Sequence, residues 1–465
     1  MYKRQLLRVL TSPIFKANDI RGIVGGSDAE WDTTGAKALG RAYVELFGLA
    51  GQTFVMSRDM RLSGPELSRA FATGATEGGA SVIDVGLAST DGLWFASGHL
   101  GLPCVQFTAS HNPARYNGAK FCKVGAQPVT SDFLTSLKTL AMSYDAQGLP
   151  APVSQPGTIS ADDILPEYGS YLRKLVPLDG IRRLKVVVDA GNGMAGHTVP
   201  SVLGPLNVEV IGLYLDLDGS FPNHQPNPLA PENLVDAQKA VIEHGADLAL
   251  VFDGDADRCF VIDERGEVVS PSTVTALIAA AELAREPGST IVINTITSRS
   301  VAEVVAENGG VLVTSKVGHT YVKALMAKYG AIFGGEHSAH YYFRDFWGAD
   351  TGMLAGLHVL GLLGHADVPL SQLARQYERY VASGEINSRV DDQQATMEKV
   401  AAAYAHRGKI SWEDGLLVRG KSWWVSLRSS NTEPLLRLNV EAPDEATMVA
   451  WRDETLALVR GEEHA

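Results

Sequence analysis

Asp253-Gly254-Asp255-Ala256-Asp257-Arg258 sets three carboxylates at alternating positions in a glycine-containing loop. Charges so close repel strongly unless a cation neutralises them, and this spacing lets all three converge on one ion. Oxygen-only donors favour Mg²⁺ or Ca²⁺ over zinc. An EF-hand would use Asp253, Asp255 and Asp257 at its positions 1, 3 and 5, with Glu264 at position 12. Its position 6 needs Gly, however, and here holds Arg258, while Leu248–Phe252 and Cys259–Ile262 read as strands. Arg258 points instead to an ion and a cationic side chain sharing one anionic ligand. A solvated acidic turn is the plainer reading of the same residues.

Thr108-Ala109-Ser110-His111-Asn112-Pro113 is the second candidate. The Asn-Pro step closes a turn, so Ser110 is either a turn serine or a hydroxyl with a chemical task. The Gly-x-Ser-x-Gly context of a hydrolase elbow is missing, which leaves acyl transfer little support. Tyr116-Asn117-Gly118-Ala119-Lys120 brings a lysine close enough to serve the same site. Near a metal and other cations its pKa is expected to fall towards working pH, suiting proton transfer. In Gly334-Gly335-Glu336-His337-Ser338-Ala339-His340, Glu336 and Ser338 point the same way if the loop is extended. A carboxylate beside a hydroxyl suits adjacent sugar hydroxyls, although a loop with a capping Glu has the same letters. Upstream, Lys316-Val317-Gly318-His319 adds a cation and an acid/base candidate. Arg428-Ser429-Ser430-Asn431-Thr432-Glu433-Pro434, with Arg437, surrounds small polar donors with two arginines. That is a phosphate clamp in outline, or plain turn chemistry.

Two further patterns carry less. Gly415-Leu416-Leu417-Val418-Arg419-Gly420-Lys421-Ser422 fits a Walker A loop by letters, but its interior is apolar and β-prone, and Trp423-Trp424-Val425 continues as strand where a helix is required. Gly191-Asn192-Gly193-Met194-Ala195-Gly196 follows the strand Val186–Val188, with Asp216 beyond it, as in a dinucleotide-binding turn. An NAD-dependent oxidoreductase is therefore an alternative. It leaves the triple aspartate, the Ser110 loop and the arginine pair unexplained, whereas tight turn geometry accounts for the glycines.

The elements that must hold these loops are legible as short apolar runs. Thr53–Ser57, Lys185–Asp189 and Thr290–Asn294 each lead into a helix-like segment. A second run follows each (Ser81–Val85, Val208–Tyr214, Val311–Thr314), and then a third (Cys104–Phe107, Asp247–Phe252, Ala331–Phe333) that ends in a function-rich loop. Buried strands alternating with helices indicate α/β units whose ligands sit at strand carboxyl ends. The tail from about Gly384 carries a hairpin-like stretch, Leu416–Leu427, and reads as α+β. A chain of 465 residues is too long for one core and divides into about three or four domains. The expected divisions are 1–153, 154–260, 261–372 and 373–465.

A formal charge of −13 argues against nucleic acid but not against a small anionic substrate. Three cysteines, Cys104, Cys122 and Cys259, form no Cys-x-x-Cys pair and imply a reducing compartment. No run of eighteen apolar residues suggests a membrane span, and no leader is evident between Met1 and Phe15. A cytoplasmic protein is expected.

The four loops in this order resemble the α-D-phosphohexomutase superfamily, and within it the bacterial phosphomannomutase/phosphoglucomutase branch. Phe15-Lys16-Ala17-Asn18-Asp19-Ile20-Arg21-Gly22, Phe221-Pro222-Asn223-His224 and Pro231-Glu232-Asn233-Leu234 add to the likeness, which spans nearly the whole chain. The resemblance implies four domains around a central cleft, three of them homologous α/β domains and the last α+β. It implies a phosphoserine at Ser110, with Mg²⁺ held by Asp253, Asp255, Asp257 and a phosphoryl oxygen on Ser110. Arg258, Arg21 and His111 would neutralise or position the transferring group, and Lys120 would be the main general acid/base, assisted by His319. Glu336 and Ser338 would hold sugar hydroxyls; Arg428, Ser430, Asn431 and Thr432 would grip the other phosphate, helped by Arg437. The implied reaction interconverts hexose 1-phosphate and hexose 6-phosphate through a hexose 1,6-bisphosphate, with mannose phosphate the preferred substrate. Phosphoglucosamine mutase and a non-catalytic phosphosugar-binding protein are the neighbouring readings. Two departures stand out: Asn18 replaces a tyrosine frequent in that branch, and Thr295–Arg299 stands where some members place a lysine, with Arg299 a candidate substitute.

Overall fold

The computed structural model describes residues 9–429 and 435–461, and these form two compact units. The first runs to Val269 and includes Ser338–Ser371; the second comprises Ser270–His337 and the chain from Gln372 onward.

Two α/β sheets organise the first unit. In one, Ser81–Leu87, Thr53–Arg58 and Cys104–Phe107 lie side by side and parallel, and Tyr116–Lys123 returns antiparallel. In the other, Val208–Leu213, Leu184–Asp189 and Leu248–Phe252 repeat that order, with Cys259–Asp263 as the antiparallel return. Leu248–Phe252 and Cys259–Asp263 are buried at every position, which is why they read as unbroken apolar runs rather than alternating ones. Ile159–Ala161 joins the first sheet and Val268–Val269 the second, so sheet membership runs past residues 153 and 260. One face of the first sheet is packed by Tyr43, Phe54, Phe71, Phe107 and Phe121, whose rings meet edge-on or tilted. The helices Thr33–Phe47 and Ser131–Gln147 start where Asp32 and Thr130 accept backbone N–H bonds from their first turns.

The second unit contains the third repeat and the tail. Val311–Ser315, Thr290–Asn294 and Phe333–Gly335 are parallel in the same second-first-third order. The third of these strands falls two residues later than the expected Ala331–Phe333, and takes in Gly334 and Gly335. Two adjacent glycines suggest a turn, yet here they pair with Val292 and Ile293. The helix Pro271–Arg285 passes so close that a Cβ on Gly335 would strike the Thr275 side chain. The tail is an antiparallel sheet of Lys409–Ser411, Leu416–Arg419, Trp424–Ser429 and Leu435–Ala442, edged by Ile386–Arg389 and Val381–Ala382. Helices Gln393–Tyr404 and Glu445–Arg460 accompany it, and Trp423 stacks on Trp451 at 3.6 Å. The Walker-like letters therefore lie on the strand Leu416–Arg419 and the turn after it, and the strand Trp424–Ser429 follows where a helix is required. Among the described residues no helix is long and apolar enough to cross a membrane.

Candidate active site

The loop after Cys104–Phe107 meets the loop between Leu248–Phe252 and Cys259–Asp263 inside the first unit. Ser110 is buried and adopts a left-handed backbone (φ 52°), which aims its side chain into the acidic loop. Such a conformation is uncommon for serine and has to be held from outside. The Ser110 N–H donates to Thr108 Oγ1 at 2.9 Å. Its carbonyl accepts from Arg61, a wholly buried guanidinium that also donates to the carbonyls of Asn112, Pro113 and Tyr116 and to Asp59. Ser110 Oγ lies 3.2 Å from Asp253 Oδ2 and 3.3 Å from His111 Nδ1.

Asp253, Asp255 and Asp257 are all buried, and one ligand oxygen of each lies within 4.8 Å of those of the other two. The flanking strands form a hairpin, Phe252 opposite Cys259, so the loop is not an EF-hand. Gly254 is required by proximity: a Cβ there would stand 2.6 Å from the Ser110 carbonyl. The glycine turn Gly191–Gly196 supports this loop from beneath. Met194 N–H donates to the Gly254 carbonyl, and a Cβ on Gly193 would meet that carbonyl at 2.7 Å. Close packing against the acidic loop thus accounts for Gly193.

Cations surround the carboxylates. Arg258 is buried and donates through Nε to Asp253 Oδ2 at 2.9 Å. Arg21 bonds Asp19 and, through Nη1, Asn112 Oδ1 at 3.0 Å. Lys120 Nζ donates to Asp255 Oδ2 at 2.7 Å and Asp257 Oδ2 at 2.6 Å. Burial pushes the Asp253 carboxyl up to about 8 against the pull of Arg258, and its acidic neighbours add to that rise. Asp257, although buried, is held down at about 2 by Lys120 and His340. Burial and the positive charges of Arg258 and Arg21 drive His111 well below the usual histidine range, so its neutral Nδ1 can accept from the serine hydroxyl. Burial opposes the charge of Lys120, but Asp255 and Asp257 outweigh burial and raise its pKa; the expected fall is one beside a bound metal, whose charge would oppose that of both carboxylates.

These residues fit a divalent cation. The donors are all carboxylate oxygens, and Asp255 Oδ1 and Asp257 Oδ1 are buried without a hydrogen-bond partner among the described residues. His340 joins the site although sequence reasoning gave it no role. Its Nε2 lies 3.8 Å from Asp257 Oδ1 and its Nδ1 lies 2.8 Å from Ser338 Oγ. Arg61 was likewise missed, for want of any local pattern.

Other candidates lie in the second unit. Glu336 is buried and accepts from Asn294 Nδ2 and the Gly318 N–H; Ser338, two residues on, belongs to the first unit. His319 opens the helix His319–Tyr329. Arg299 donates to the Lys421 carbonyl at 2.7 Å and lies over the Tyr380 ring, so it ties elements of the second unit together. Arg428 and Arg437 are opposite one another on adjacent strands. Both face Glu385, Arg428 Nη2 at 3.0 Å and Arg437 Nε at 3.7 Å. Both Nε atoms are buried without a hydrogen bond among the described residues, as donors awaiting an anion would be. Ser430, Asn431 and Thr432 lie outside the described residues.

Family comparisons cover most of the chain. Models described as phosphoglucomutase/phosphomannomutase match in four parts: α/β/α domain I over residues 12–147, domain II over 166–266, domain III over 270–380 and the C-terminal domain over 385–458. A phosphomannomutase of Salmonella typhimurium is 38% identical over 455 residues, 95% of this chain and 97% of its own length. One from Escherichia coli is 37% identical over 461 residues, 96% and 99% of the two chains. The crystal structure of a phosphoglucomutase/phosphomannomutase family protein from Burkholderia thailandensis is similar with a TM-score of 0.88 at 32% identity, covering 98% of this chain and 99% of that one.

Proposed function

The chain belongs to the phosphoglucomutase/phosphomannomutase family of isomerases, and we propose that it interconverts hexose 6-phosphate and hexose 1-phosphate, mannose phosphate first, by way of a phosphoserine at Ser110 and a hexose 1,6-bisphosphate. The observation that carries this reading is the approach of Ser110 Oγ to within 3.2 Å of Asp253 Oδ2 in a buried, cation-rimmed acidic loop.

Phosphate-monoester cleavage is among the slowest uncatalysed reactions, and its catalysis is chiefly alignment and charge neutralisation. Asp253, Asp255 and Asp257 would hold Mg²⁺, with an oxygen on Ser110 beside them. When bound, Mg²⁺ supplies positive charge against the oxygens of the transferring group. Arg258 and Arg21 add fixed cations next to Ser110, and His111 takes the serine proton at Nδ1 when Oγ accepts a phosphoryl group. Lys120 Nζ carries a proton in the ion pair with Asp255 and Asp257 and is placed as general acid. The carboxylates that hold this proton are those assigned to the cation, so the two are linked. His340 stands at the same rim between Asp257 and Ser338, and His319 remains a candidate assistant. Glu336 and Ser338 would recognise sugar hydroxyls. Arg428 and Arg437, with Ser430, Asn431 and Thr432, would bind the phosphate that is not reacting. Recognition of a phosphate and of hydroxyls, rather than of one ring face, suits a bisphosphate that must be held in two orientations.

The test compares turnover of mannose, glucose and glucosamine 1-phosphates with trace bisphosphate present. Mannose 1-phosphate is expected to turn over best. Ser110→Ala should abolish most of the activity and the phosphorylated species seen by intact mass. A Ser110→Ala enzyme with wild-type turnover would refute the reading.

A further inference from the structure

Asp255 is gripped from a helix that the mechanism does not use. The helix Thr90–Leu100 begins at Ser89, whose hydroxyl accepts from the Gly92 N–H. Its first residue, Thr90, is fully buried and makes two bonds to one partner. The Thr90 N–H donates to the Asp255 carbonyl at 2.9 Å, and Thr90 Oγ1 donates to Asp255 Oδ2 at 2.6 Å. Oδ2 also takes the Lys120 bond, while Oδ1 has no hydrogen-bond partner among the described residues. One oxygen is thereby committed to protein, and rotation about the carboxylate is blocked. The positive end of the helix lies against the same negative group.

Thr90 is itself anchored. Its neighbour Asp91 is fully buried and accepts at Oδ1 from Ser89 Oγ at 2.5 Å. At Oδ2 it accepts from Tyr168 Oη at 2.8 Å and Thr351 Oγ1 at 2.6 Å. Tyr168 sits on the helix Leu165–Leu175, and Thr351 caps the helix Gly352–His365. Two helices distant in sequence therefore fix the turn from which Thr90 reaches Asp255.

We propose that Thr90 is a positioning residue that orients the Asp255 carboxylate for the divalent cation, with Asp91 as its anchor. The proposal rests on the reading of Asp255 as a cation ligand. Partners that orient a metal ligand typically contribute about 10- to 100-fold in metal affinity. A hydroxyl that merely filled space would contribute none.

The experiment titrates Mn²⁺ into the full chain and reads free ion by electron paramagnetic resonance, for wild type, Thr90→Val, Thr90→Ala and Thr90→Ser. Loss of the hydroxyl in the first two should weaken Mn²⁺ at least about tenfold. Thr90→Ser, which keeps the donor, should stay within about threefold of wild type on the same scale. Steady-state kinetics should show kcat falling more than the sugar-phosphate KM rises. Wild-type Mn²⁺ affinity in either hydroxyl-less variant would overturn the proposal and leave the cation site standing. So would a Thr90→Ser protein as weak as Thr90→Ala, because size and not the donor would then matter. A wild-type chain that takes up no Mn²⁺ would overturn both the cation reading and this one.

Discussion

At Ser110 the backbone conformation and the chemistry are inseparable. A left-handed serine turns its Oγ towards Asp253, and the loop reaches that shape because Arg61 fastens four of its carbonyls. Arg61 is desolvated, which lowers its pKa against the opposing pull of Asp59. Removing such a group strands a buried carboxylate and several acceptors, at a cost of about 3–5 kcal/mol. Arg61→Met should lose about that much in urea unfolding, along with most serine phosphorylation. Arg61→Lys should recover little, because a point charge cannot span a planar fork of acceptors. A loss below about 1 kcal/mol, within reach of an exposed pair, would mean the loop is held by other contacts. Legibility differs sharply among these residues. Asp253, Asp255 and Asp257 could be read directly, since their meaning lies in local spacing. Arg61 could not, because the carbonyls it holds lie about fifty positions downstream and nothing around Arg-Leu-Ser distinguishes a buried guanidinium from a surface one. Lys120 is legible as a lysine near the Ser110 loop, but its ion pair is not, because Asp255 and Asp257 lie 135 and 137 positions away.

Elements deliver these residues by repetition. Each repeat crosses its first three strands in the same order and sets its loop after the third, so Ser110, Asp253 and Glu336 occupy equivalent ends. The strands were legible because a strand buried on both faces is an uninterrupted apolar run. The one shifted strand contains Gly334 and Gly335, where close helix packing, invisible locally, excludes side chains. The helix Thr90–Leu100 was not recognised as part of the site at all, since Thr90 and Asp255 are 165 positions apart. Its start has a consequence that pH can reveal. Burial pushes Asp91 up to about 6, against the bonds from Ser89, Thr351 and Tyr168 that favour its charge. A carboxyl raised on folding binds its proton more tightly in the folded state. Its contribution is complete below its unfolded value of 3.8 and fades as pH climbs through about 6. Asp91→Asn abolishes that titration. The stability of Asp91→Asn relative to wild type should therefore improve by up to about 3 kcal/mol between roughly pH 4 and pH 7. Urea midpoints at both ends of that range decide it, and a constant difference would contradict the raised pKa.

For the whole chain, the division of labour follows the two compact units. Among the described residues, the first holds Ser110, the three aspartates and the cations that touch them; the second holds Glu336, Arg428 and Arg437. A ligand stabilises only the unit that binds it, and in proportion to the logarithm of its excess. Mg²⁺ at about 100 times its dissociation constant adds roughly 2.7 kcal/mol to the state that binds it. If the units unfold as separate cooperative blocks, calorimetry should show two transitions, of which Mg²⁺ raises one by several degrees. Chelation should return that transition to its starting point and leave the other where it was. The Asp255→Asn protein should show both transitions but lose the response, because the loss of one anionic ligand lowers affinity without removing the sheet behind it. A response confined to the transition that survives in an isolated Ser270–His337 and C-terminal fragment would place the cation outside the acidic loop. The assignment of charge neutralisation to Asp253, Asp255 and Asp257 would then have to be given up, whatever the catalytic rates.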